Sequence, residues 1–127
     1  MTVTSIMTSD KSGQELVTFA QQTASQLVRD NLNRAQIRTI FTEVRKIEAL
    51  WDTNPAVALR RLNMLKPKLD YQTARMPAVK ALKEVLTPAI EEVNKAGDDT
   101  ERNRRFRVFM DMFEAILAYH RVLSERH

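Results

Sequence analysis

At 127 residues, 43% of them hydrophobic and 28% charged, the chain has the composition of one soluble globular domain with a single core. Two Gly and four Pro are too few for the tight turns of a sandwich or barrel, and no apolar run approaches the roughly 20 residues that cross a bilayer. The net charge of +4 is unevenly spread: residues 32–75 carry nine cations against four anions, while the stretches before and after stand at −1 and 0. A polyanion partner leaves such a footprint, and so does a solvated face that happens to be basic.

The first eleven residues are rich in Thr and Ser with little to bury and read as a loose start. From Ser12 the pattern turns helical, with Leu16, Phe19, Ala20, Thr23 and Leu27 on one face. "RDNLN" interrupts it. Asn33 with Gln36 three residues on makes a capping box for a second helix, whose apolar stripe is Ile37, Ile40, Phe41, Val44, Ile47 and Trp51. Arg38 and Arg45, seven apart, share a different face of it.

Asn54 as N-cap and Pro55 at the first helical position open a third helix, with Ala58, Leu62 and Leu65 inward. Pro67 pushes Lys66 away from helical angles, so this helix is expected to end or bend there and a short one to run from Pro67 to about Met76. Pro77 begins a fourth helix with a kink at Pro88. Gly97 is the expected C-cap, and Asp98, Asp99 or Thr100 the next N-cap. The last helix aligns Phe106, Phe109, Met110, Phe113, Ile116, Leu117, His120 and Leu123. The expectation is an all-α, single-domain bundle of about five helices spanning residues 1–127.

Catalysis by this chain, a cofactor and a metal are all unexpected. Without cysteine there is no thiol chemistry or disulfide, which fits a reducing, cytoplasmic setting, and "MTVTSIMTSDKSG" lacks the basic-then-apolar order of a signal peptide. His120 lies on an apolar stripe, where a satisfied, partly buried histidine is commoner than a base or ligand. Two glycines cannot build a dinucleotide or phosphate loop, and "GDD" at Gly97–Asp99 lacks the spacing of a calcium loop.

The segment "LKPKLDYQTAR", Leu65–Arg75, is the densest polar feature. In a helix starting at Pro67, Lys68, Tyr71 and Arg75 share one face, with the phenol between two cations, while Leu65, Leu69 and Met76 anchor another. Such a line suits a sugar-phosphate backbone, cations on phosphates and the ring against a ribose or base. The other reading is a solvated bend with Tyr71 at the rim of the core.

"NLNRAQIR" (Asn31–Arg38), "LKPKLDYQTAR" and "FMDMFEAILAYHR" (Phe109–Arg121), in that order and spacing, resemble the small helical subunit of type III-A CRISPR effector complexes, the Csm complex. The likeness runs from about Leu32 to Arg121. It implies a non-catalytic RNA-binding subunit, several copies of which stack along the ribonucleoprotein beside the backbone and large subunits. A basic face would follow the duplex of guide RNA (crRNA) and target RNA, chiefly the target strand. By resemblance the RNA-binding positions are Gln36, Arg38, Lys66, Lys68, Tyr71, Arg75 and Arg121, to which the face shared with Arg38 adds Arg45. Asp70 and Thr73 depart from the family's small residues, and Asp70 sets an anion beside Lys66 and Lys68. Glu114 and His120 also match and are read as holding the helix packing. The alternatives are a helix-turn-helix-like DNA-binding protein with the second helix as reader, and a helical protein–protein adaptor.

Overall fold

Helices α1, α3, α4 and α6 begin where a side chain can take the N–H groups that a first turn leaves unpaired. The computed structural model describes residues 2–126 and contains α1 (Val3–Ser9), α2 (Gln14–Arg29), α3 (Arg34–Trp51), α4 (Pro55–Arg75), α5 (Lys80–Asn94) and α6 (Asp99–Arg126), with a 3-10 turn at Pro77–Val79. The all-α expectation holds, with six helices in place of about five. Asn33 Oδ1 accepts from Gln36 N and Gln36 Oε1 from Asn33 N, both at 2.8 Å, which completes the expected capping box. Asn54 caps α4 ahead of Pro55, and Asp98 Oδ1 accepts from Glu101 N at 2.8 Å.

Three expectations are corrected. The loose start is a helix: Ile6 and Met7 are fully buried against α5 and α6. Arg104 Nη2 donates to Met7 O at 3.1 Å and Thr8 O at 3.3 Å, Thr4 Oγ1 donates to Glu92 Oε2 at 3.2 Å, and Asp10 Oδ2 accepts from Leu16 N at 2.8 Å to start α2. Val3, Ile6 and Met7 give only one turn of helical spacing, and their partners lie far along the chain. At Pro67 no break occurs, and α4 runs unbroken to Arg75. An interior proline costs about 3 kcal/mol. Burying Leu62, Leu65 and Leu69 on one face across it stabilises the continuous helix by about 1.5–3 kcal/mol for each leucine, and Pro67 itself faces solvent. Finally, α5 ends at Lys95 in right-handed geometry and Gly97 is no left-handed cap; the left-handed glycine is Gly13. The 3-10 turn takes up Pro77, and α5 continues through Pro88.

The core is built around α6, which packs most extensively on α2 and contributes Phe106, Phe109 and Phe113, all fully buried. Phe41 of α3 meets Phe113 edge-on at 5.0 Å, and Trp51 stacks on Phe106 at 3.8 Å. Helix α3 is thereby seated between α4 and α6, with its whole apolar stripe inward. No helix among the described residues is long and apolar enough to cross a membrane.

The first turns of α6 carry a charge cluster within the helix. Glu101 takes Arg104 Nη2 and Arg105 Nε, each at 2.7 Å, and hydrogen bonds from Arg104 and then Arg105 hold its carboxyl down from the usual 4.5 to about 2. A depressed carboxylate adds stability above its unfolded pKa and loses it as pH falls through the folded one. Glu101→Gln is therefore expected to be less stable than the wild type at pH 7, with the gap closing between about pH 4.5 and 2. Urea denaturation at pH 7 and pH 2.5 measures it, and a gap that does not narrow with acid contradicts this role.

Candidate nucleic-acid interface

Positions two apart on an α-helix stand about 200° apart, so one ridge can feed two grooves. Helix α3 does this. Its Gln36 side faces α4 across a groove of about 640 Å³ also lined by Lys68, Tyr71 and Arg75, with Ile40, Met64 and Met76 as its apolar lining. Its Arg38 side faces α6 across a cleft of about 370 Å³ lined by Arg34, Arg38, Arg45, Glu114 and Arg121. Of the eight residues expected to share one exposed side, four therefore lie in the first groove and three in the second. Lys66 lines neither: it is half-buried, two residues from Lys68 and on the far side of α4, while Asn63 there bonds Asn94 of α5.

The two grooves differ in how far carboxylates offset their cations. In the α3–α6 cleft Arg45 pairs with Glu48 at 2.9 Å and Glu114 at 3.4 Å, and Glu125 takes both Arg34 at 3.3 Å and Arg121 at 3.6 Å. Arg38 is exposed and has no ion pair among the described residues. On the α4 side the single carboxylate paired with a groove cation among the described residues is Glu43, 3.1 Å from Lys68 Nζ. Asp70, expected to oppose Lys66 and Lys68, turns instead to Lys83 of α5 at 2.9 Å. Exposed pairs of this kind contribute about 0–1 kcal/mol and exchange readily with another anion.

Tyr71 is 63% exposed. Its hydroxyl accepts from Arg75 Nη1 at 3.3 Å, and the guanidinium stands 5.7 Å from the ring centre, which fixes the phenol and cation as one unit. Arg75 has no carboxylate partner among the described residues. Gln36 is more committed: beyond the cap, its Nε2 donates to Met76 Sδ at 2.6 Å, so it shapes the groove end. His120 is fully buried, its Nε2 donates to Leu32 O at 2.7 Å, and its Nδ1 has no partner among the described residues. It pins the α2–α3 corner to α6, whereas Glu114 is exposed and reaches across to Arg45 at 3.4 Å.

Two further cations lie outside the expected set. Arg34 precedes Arg38 by one turn, and that i, i+4 spacing marks it for the same cleft. Arg61 stands seven residues before Lys68, a relation hidden once the helix is divided at Pro67. Among the described residues no group of three His, Asp or Glu side chains is placed to hold a metal ion.

The family model described as Csm2 Type III-A matches residues 10–126. The chain belongs to the Csm2 Type III-A family. Comparison with curated proteins and with solved structures returns no match. A Csm2 Type III-A protein is the small structural subunit of the type III-A CRISPR effector, so other Csm subunits are its partners. The matched span holds both grooves and every residue expected to bind RNA, and it leaves α1 outside.

Proposed function

We propose that this Csm2 Type III-A subunit is non-catalytic, works in the cytoplasm and holds the RNA backbone of the guide–target duplex, chiefly the target strand, with several copies stacked along the effector. Sequence is read by base pairing, so the subunit needs charge contacts and no side chain aimed at base edges. The observation that supports this best is the α4 side of the groove, where Lys68, Tyr71 and Arg75 are exposed together with one carboxylate between them. Arg38, Arg45 and Arg121 add contacts from the α3–α6 cleft, weaker where carboxylates already hold them. Each copy contributes little and repetition supplies the rest. A helix-turn-helix reading is disfavoured because α3 is 18 residues long and its apolar stripe is packed between two neighbours.

In an effector assembled with Lys68→Ala/Arg75→Ala, target RNA capture is expected to fall about tenfold per copy engaged, at about 0.7 kcal/mol for each exposed charge contact. Both side chains are exposed, so the melting temperature of the free subunit should stay within about 2 °C of the wild type. Equal capture by wild-type and variant complexes overturns the assignment.

A further inference from the structure

The basic line on α4 is longer than the groove. Because the helix does not break at Pro67, Val57, Arg61, Met64, Lys68, Tyr71 and Arg75 follow at steps of four and three residues and form one stripe. Two seven-residue repeats interleave in it, three cations and three apolar side chains. Val57, Met64 and Tyr71 are 38%, 52% and 63% exposed, three of the six large hydrophobic residues exposed among those described. No carboxylate stands on the stripe, and among the described residues Glu43 alone pairs with it, from α3. Seven residues rise about 10.5 Å, so cation and apolar surface alternate at that interval over about 27 Å.

We propose that one RNA strand runs lengthwise along α4, with Arg61, Lys68 and Arg75 on phosphates and Val57, Met64 and Tyr71 against the sugars between them. This rests on the RNA reading above and adds a direction, a length and three contact residues, Val57, Arg61 and Met64. A strand crossing the helix meets cations at one level only and leaves Arg61 unused two turns away. A strand following it meets a charge every second turn with an apolar surface for the sugars between, the combination that tracks a backbone. A docking protein helix needs apolar residues at two positions in each heptad. This stripe has one and fills the other with a cation.

The test places the photocrosslinker p-benzoylphenylalanine at Val57, Met64 or Tyr71 in the assembled effector and maps the crosslinked nucleotides of a matched target. The expected result is one strand, with crosslinks stepping in a single direction from Val57 to Tyr71. Three crosslinks at one nucleotide, or crosslinks to protein alone, overturn the lengthwise track. Arg61→Ala is read beside Lys68→Ala. Both are expected to weaken capture by a similar factor and each to lower the salt slope by roughly 0.7. Loss with Lys68→Ala but not Arg61→Ala removes the track and leaves the RNA reading standing. No loss with either, and no RNA crosslink, removes both.

Discussion

Ile6→Ala and Met7→Ala are each expected to lower the free energy of unfolding by about 2–5 kcal/mol. Both side chains are fully buried, so truncation loses transfer energy and leaves a cavity between α1, α5 and α6. A domain of this size is stable by about 5–15 kcal/mol, so one such change removes a large share of the total. The hydrogen bonds that Arg104 gives Met7 O and Thr8 O run to backbone and survive either substitution. Deleting residues 1–9 removes those bonds as well and is expected to exceed either single change. Denaturant unfolding of the three variants decides it, and losses under about 0.5 kcal/mol would mean that α1 is not part of the core. The result matters because α1 lies outside the span matched to the family.

Trp51→Ala is expected to cost about 3–5 kcal/mol, the range for emptying a buried aromatic site. The indole is 3% exposed, lies flat on Phe106 with 2° between the ring planes, and donates from Nε1 to Asn103 Oδ1 at 2.8 Å. Trp51→Phe keeps the stack and gives up the hydrogen bond, for about 1 kcal/mol plus some lost area. Thermal denaturation separates the two, and equal losses would show that the hydrogen bond, not the stack, joins the end of α3 to α6. Both residues lie away from the grooves, so capture of RNA by folded protein should not change.

The legible parts of the fold were those written in local chemistry. The capping box at Asn33 and Gln36, the Asn54–Pro55 start and the stripe of α3 need only neighbours in sequence, and all three formed. The parts that misled were settled by distant partners. Pro67 carries a local signal to stop, but three leucines facing the same core outweigh it. Residues 3–9 carry one turn of helical spacing in Val3, Ile6 and Met7, too short a pattern to mark a helix by itself, and packing against α5 and α6 folds them.

The candidate site was legible as a set of residues and not as an arrangement. Lys68, Tyr71 and Arg75 share a face as expected, because their spacing holds in any helix that contains them. Gln36 and Arg38, and Lys66 and Lys68, part company because residues two apart cannot share a helix face. The pairing of Lys68 with Glu43 and of Asp70 with Lys83 depends on helix neighbours that sequence spacing does not reveal. The expected single basic side is therefore two, and the less compensated one belongs to α4.

If this subunit grips RNA through exposed charges on α4 and leaves the bases to the guide, salt must weaken the grip and guide sequence must not matter. The salt dependence of target capture, measured for two guides of unrelated sequence, tests this most directly. Each phosphate that no longer meets a cation should lower the log–log slope by roughly 0.7, so Lys68→Ala/Arg75→Ala should reduce it by about 1.4 per copy engaged, equally for both guides. A slope left unchanged by the double substitution, or a change seen with one guide only, contradicts the account.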